Sequence, residues 1–149
     1  MKGEIQDIMH KAMTVPSDTS HLTQVRKMLN DILSKTQFSE TEKNHIILAV
    51  DEATTNIMEH AVDNNIMTDI QIEIVVRADN TKCEIILKDS GKEFDPTLVS
   101  SDINIKDHVK KGRKHGLGIF LIRQVMDELQ YTYRNGEKNE LKMVKYIKQ

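Results

Sequence analysis

The sequence predicts an α+β fold, a two-layer α/β sandwich in which a mixed, mostly antiparallel sheet is backed by three helices on one face. Two observations lead there. Segments with period-two alternation come in pairs joined by short turn-like stretches, as hairpins do, whereas segments with helical spacing do not alternate strictly with them. The order strand, helix, helix, strand, strand, long loop, helix, strand, strand fits helices covering one side of an antiparallel or mixed sheet, not a doubly wound parallel one. The 149 residues are expected to form one domain, 1–149.

"EIQDIMHKAMTV" alternates weakly and is expected as the first strand, although its Met and Ile residues also suit a helix. "PSDTSHLTQVRKMLNDILSK" follows, with Leu22, Val25, Leu29, Ile32 and Leu33 at helical spacing behind a Ser, Asp and Thr cluster that can cap a first turn. "FSETEKNHIILAVDEATTNIMEHAVDNN" opens with Ser39 and Glu42 at capping-box spacing. It carries Ile46, Val50, Ala53, Ile57 and Ala61 on an apolar arc and stops at Asp-Asn-Asn. "DIQIEIVV" and "KCEIILKD" alternate around "RADNT" and predict a hairpin with Ile70, Ile72 and Ile74 on one face.

From Ser90 to Gly116 the apolar pattern lapses, and a run of that kind inside a compact domain is usually functional or mobile. "LGIFLIRQVMDEL" restores helical periodicity. "QYTYRNGEKNELKMVKYI" predicts a closing hairpin that turns near Asn135 and Gly136.

Composition narrows the function classes. The formal net charge is -2 with both signs mixed, which gives no electrostatic case for direct nucleic-acid binding or for an anionic membrane. Cys83 is the sole cysteine, so neither an intrachain disulfide, a thiolate zinc site nor a CxxC redox pair can form. No apolar run approaches a membrane span, and "MKGEIQDIMHKAM" lacks a signal-peptide core. A soluble, unprocessed, cytoplasmic chain is expected.

Three polar constellations carry possible chemistry. Glu52, Asn56 and His60 recur every four residues in "VDEATTNIMEHA" and therefore share a helix face. An amide one turn from a carboxylate suits a magnesium ion that keeps waters and phosphate oxygens, beside a base that takes a proton from an attacking hydroxyl. The same spacing also suits a solvated helix edge with His60 in a structural hydrogen bond.

In "KDSGKEF", Asp89 ends a strand two residues before Gly91, a spacing that can place a carboxylate at a pocket floor, where it could accept from an exocyclic amine such as that of adenine. An Asx-type turn is the competing reading. In "KKGRKHGLGIFLI", Gly112, Gly116 and Gly118 run into a helix start among Lys110, Lys111, Arg113 and Lys114. Backbone N–H groups at such a start favour phosphate, while a solvated basic linker has the same composition. The segment is neither a P-loop nor a dinucleotide fingerprint.

Taken in order, "DEATTNIMEHA", "DSGKEFD" and "HGLGIFLIRQVMDELQY" resemble the three motifs of the GHKL (Bergerat-fold) ATP-binding superfamily. The last of them, with the closing "GEKNELKMVKYI", is similar to the bacterial anti-sigma-factor serine/threonine-protein kinases. The resemblance runs from about Val15 to Ile147. It implies a four- to five-stranded sheet backed by three helices, with ATP and Mg2+ as cofactors. Carried over by position, it implies Glu52 as the catalytic base and Asn56 as the magnesium ligand. Asp89 would read the adenine amine, Gly91 would permit its close approach, and Lys114 would contact phosphate. Gly116, Leu117 and Gly118 would form the lid hinge and the phosphate-binding helix start.

The implied function is phosphorylation of a STAS-domain anti-anti-sigma protein and sequestration of a sigma factor, with homodimers frequent among relatives. Two positions depart from the pattern. His115 stands where relatives often have another glycine, which implies a stiffer lid, and Lys142 stands where a small hydroxyl residue is frequent. A nucleotide-regulated binding module without kinase activity is the competing expectation, motivated by His115. A sensor histidine kinase fits less well, because no dimerisation helix bearing a phosphoacceptor histidine has room in this length.

Overall fold

The computed structural model describes residues 9–63, 70–90, 115–134 and 138–148, with the backbone alone described at 60–63, 115–118 and 134. The first strand, β1 (Met9–Pro16), leads through a short 3-10 turn (Thr19–His21) into α1 (Leu22–Leu33). Then come α2 (Glu40–Asp63), β2 (Gln71–Ala78) and β3 (Lys82–Asp89). A third helix, α3 (His115–Val125), precedes β4 (Glu128–Arg134) and β5 (Lys138–Tyr146).

Local chemistry explains where the first two helices begin. Asp18 Oδ1 accepts from the Ser20 N–H at 3.0 Å, fixing the turn before α1. At α2 the capping box closes in both directions: the Glu42 N–H donates to Ser39 Oγ and the Ser39 N–H donates to Glu42 Oε1, each at 3.1 Å. A cap of this kind stabilises a helix by about 1 kcal/mol. The predicted Asp-Asn-Asn stop of α2 and the predicted turn at Asn135 and Gly136 lie outside the described residues.

The five strands form one sheet in the order β1-β2-β3-β5-β4, and every pairing among them is antiparallel. The expected mixed, mostly antiparallel sheet is thus wholly antiparallel among the described strands. β5 lies inside the sheet and β4 at its edge, so the chain reaches the outer position first and returns to pair with β3. Pro16, which has no N–H to give a ladder, sits on the edge strand β1.

Period-two alternation sets the two faces. In β3, Cys83, Ile85, Leu87 and Asp89 are buried, and the register aligns them with Ala78, Val76, Ile74 and Ile72 of β2. These rows pack into a core with Leu29 and Ile32 of α1, Ile46, Val50 and Ala53 of α2, and Ile119 and Ile122 of α3. The opposite face is largely polar, with Glu73, Lys88 and Glu140 directly opposite one another on β2, β3 and β5. Alternating signs across neighbouring strands stabilise that face.

One boundary differs from expectation. Helical periodicity was expected to continue to Leu129, but α3 ends at Val125 and Glu128 and Leu129 belong to β4. Contacts with β5 stop the helix. The Asp127 N–H donates to the Val144 carbonyl at 2.8 Å, and the Tyr146 N–H donates to Asp127 Oδ2 at 2.7 Å. Lys145 Nζ donates to the Val125 carbonyl at 2.7 Å. A cation at a helix C-terminus meets the negative end of the dipole and satisfies a carbonyl that has no partner within the helix.

Candidate functional site

Glu52 and Asn56 lie one turn apart on α2, near the middle of a helix that spans Glu40–Asp63. Asn56 is 5% exposed and Glu52 is half-buried, so the polar stripe is not a freely solvated edge. Burial pushes the Glu52 carboxyl above its ordinary range, and the neighbouring charges of Asp51 and Glu59 push it the same way. A carboxylate with a raised pKa is a stronger base toward a hydroxyl proton. His60 occupies the next turn, and its side chain lies outside the described residues.

Asp51 faces the neighbouring helix. Arg26 of α1 grips its carboxylate with two parallel bonds, Nε to Oδ1 at 3.0 Å and Nη2 to Oδ2 at 2.9 Å. Such a fork fixes both geometry and charge. It ties α1 to α2 one residue away from Glu52 and neutralises part of the charge that repels the Glu52 carboxylate.

Asp89 ends β3 on the helix-covered face and is 7% exposed. Asn139, its direct partner across the β3 and β5 ladder, donates from Nδ2 to Asp89 Oδ1 at 3.1 Å. The Asn139 carbonyl oxygen in turn accepts from the Tyr131 hydroxyl of β4. A carboxylate, an amide and a phenol therefore form a chain of hydrogen bonds across three strands. The Asx-turn reading turns on residues from Gly91 onward, which lie outside the described residues.

Gly116, Leu117 and Gly118 fall in the first turn of α3, directly after its first residue, His115. The first four N–H groups of a helix lack intrahelical partners and sit at the positive dipole end, an arrangement suited to phosphate. Gly91 and Lys114 lie outside the described residues. Helices α2 and α3 pack against each other, which brings the element bearing Glu52 and Asn56 to the one whose first turn holds Gly116.

The donor set fits magnesium better than a protein cage. Among the described residues no three His, Cys, Asp or Glu side chains gather to hold a metal. Magnesium commonly takes one protein oxygen and completes its shell with phosphate oxygens and water, and the Asn56 amide is a single buried oxygen donor of that kind. A separate hollow of about 270 Å³ lies beside the β2 to β3 turn, lined by Arg77, Ala78, Asp79, Lys82 and Glu84. It sits at the far end of β3 from Asp89, roughly 20 Å along the strand, and shares no residue with the stripe.

Residues 15–145 match the family described as "Histidine kinase-like ATPase domain". The chain belongs to this family. This ATPase domain is 31% identical over 140 residues to the serine-protein kinase RsbW of Staphylococcus aureus strain JH9, across 91% of this chain and 86% of that protein. RsbW of strain Newman matches to the same extent. Among solved structures, a chain of the SiaB-SiaC complex from Pseudomonas aeruginosa shares the fold with a TM-score of 0.65 at 18% sequence identity. That match covers 93% of this chain and 90% of the other. The GHKL resemblance carried by the three motifs is therefore borne out at the level of the family.

Several residues of the ATPase domain that shape this region were not singled out by sequence reasoning: Asn139, Tyr131, Arg26 and Lys145. Asn139 and Lys145 share the strand phase of Leu141 and Met143, so a polar residue at a core-facing position was the available signal. Lys142, which was singled out, points the other way. Its Nζ lies 3.8 Å from Glu84 Oε2 on the face away from the helices. No helix among the described residues is long and apolar enough to cross a membrane.

Proposed function

We propose that this chain is an ATP-dependent protein-serine kinase and anti-sigma factor, acting as a single cytoplasmic domain of 149 residues. It phosphorylates a STAS-type anti-anti-sigma protein and, in its other state, sequesters a sigma factor, which makes it a regulator of transcription. The observation that carries this reading is the pairing on α2 of a half-buried carboxylate with raised proton affinity and a buried amide one turn on. The match to a serine-protein kinase over most of both chains supports it.

Magnesium-ATP, when bound, supplies the transferable γ-phosphoryl group. Asp89 would accept from the adenine amine with Gly91 permitting the close approach, the α3 start at Gly116, Leu117 and Gly118 would offer N–H groups to the phosphates, and Lys114 would add a phosphate contact. Asn56 would hold the magnesium ion. Glu52 takes the proton of the acceptor serine as its Oγ bonds to the γ-phosphorus, and the bond from that phosphorus to the bridging oxygen breaks with its electron pair leaving on ADP. Positioning and charge stabilisation supply most of what phosphoryl transfer requires.

The test is to mix the purified chain with magnesium-ATP and the STAS-type and sigma proteins of its host. Phosphoserine on the STAS protein and ATP-dependent capture of the sigma factor are the expected results. Tight ATP binding with no phosphoserine would instead identify a nucleotide-regulated binding module.

A further inference from the structure

Lys145 is a charged side chain in a core-facing row, and nothing in the transfer chemistry accounts for it. It shares the strand phase of Leu141 and Met143 on β5 and is 6% exposed. Its Nζ donates at 2.7 Å to the carbonyl of Val125, the last residue of α3. An ammonium group withdrawn from water is tolerated only where hydrogen bonds replace its hydration, and a methionine would fill the same row without that cost. We propose that Lys145 is a positioning residue for the nucleotide phosphates: it holds the C-terminal end of α3 to β5 and so sets where the first turn of that helix presents its N–H groups. The proposal rests on the ATP reading above and adds the residue that aims the phosphate-binding helix.

The chain is fastened where α3 ends. The Asp127 N–H donates to the Val144 carbonyl at 2.8 Å, and the Tyr146 N–H donates to Asp127 Oδ2 at 2.7 Å. Those two bonds fix the residues that follow the helix. The Lys145 bond grips the helix itself, at a carbonyl in the last turn that has no partner within it, and brings a positive charge to the negative end of the dipole. Gly116, Leu117 and Gly118 lie at the opposite end. A helix of 11 residues is a rod about 16 Å long, so a tilt of roughly 5° at the held end carries the first turn by about 1.5 Å. A displacement of that size weakens contacts that depend on aligned N–H groups.

Strand β5 supplies the fixed reference. Its other end carries Asn139, which stands opposite Asp89 in the ladder and donates to it at 3.1 Å. Asn139 and Lys145 belong to the same core-facing row, about 20 Å apart along the strand. One strand therefore fastens both the end of β3 that bears Asp89 and the helix whose first turn bears the glycines. Loss of the Lys145 bond frees the helix and leaves the Asp89 contact in place. Binding of the phosphates and binding of the nucleoside should then respond separately.

The experiment is equilibrium binding of magnesium-ATP, and of adenosine, which has no phosphate, to the full chain and to its Lys145→Met and Lys145→Arg variants. Ligand-observed NMR reads the weaker adenosine complex. Methionine keeps the buried stem without the cation, and arginine restores a cationic donor. Circular dichroism and thermal melting establish that each variant folds; where Lys145→Met does not, Lys145→Gln, neutral and shorter, takes its place. Lys145→Met is expected to weaken ATP by about tenfold or more and adenosine by less than about twofold, and Lys145→Arg should recover most of the loss.

A role in stability alone would weaken both ligands together or neither. A folded Lys145→Met chain with an unchanged ratio of ATP to adenosine affinity therefore overturns the inference and leaves the ATP reading intact. A wild-type chain that binds neither ligand overturns that reading and the inference with it.

Discussion

Arg26 on α1 and Asp51 on α2 are joined by two parallel hydrogen bonds of 3.0 and 2.9 Å, one residue from the carboxylate proposed as the catalytic base. Asp51 repels the Glu52 charge and Arg26 offsets part of that repulsion. The pair is therefore placed to tune Glu52 without touching substrate.

With Glu52 as the proposed base, that arrangement would set the pH dependence of transfer. Transfer would then require Glu52 ionised, so the acid limb of the pH-rate profile would follow its pKa. Arg26→Ala leaves Asp51 unpaired, raises the Glu52 pKa further and should move the acid limb to higher pH. Asp51→Asn removes a like charge and should move it lower. Both shifts should shrink in high salt, because the pair is partly exposed. Initial rates across a pH series at two salt concentrations check the signs.

Stability should respond to Glu52 in the opposite sense from activity. A carboxyl held above its ordinary range binds its proton more tightly in the folded chain than in the unfolded one. Its contribution is fully present below the unfolded pKa and is lost as pH rises through the folded value. Glu52→Gln removes the penalty of the charged form, so Tm should rise at neutral pH and the gain should fade toward acid pH. Thermal melts of both proteins at neutral and acid pH measure it.

Cys83 lies near the turn end of the central strand β3 with 0% exposure, and burial pushes its thiol up to about 12. Thiolate is the reactive form, and neither thiolate nor access is provided here. A thiol reagent at neutral pH should label the native chain only on the timescale of unfolding and should label it at once in denaturant. Fast native labelling would contradict the placement of Cys83 in the core.

Much of the fold was legible because local signals and tertiary structure agree. The Ser39 and Glu42 spacing announced a capping box that is present, and the alternation in "KCEIILKD" gave β3 at the observed bounds. The end of α3 was not legible. "VMDEL" is compatible with a helix, and only pairing with Val144 and Tyr146 of β5, distant in sequence, turns it into a strand.

The site divides in the same way. That Glu52 and Asn56 share one face could be read from helical spacing alone. Arg26 could not, since its partner is a helix away, and Asn139 becomes meaningful only once β5 pairs with β3 and sets it opposite Asp89.

Whether Glu52 is the base of a protein-serine kinase is decided by one comparison. Single-turnover transfer from γ-labelled ATP to the STAS-type partner is measured for wild type and Glu52→Gln, with ATP affinity measured in parallel. Phosphoserine formation by wild type, a fall of about 100-fold or more in the variant, and little change in ATP affinity are expected. Transfer by Glu52→Gln at the wild-type rate would contradict it.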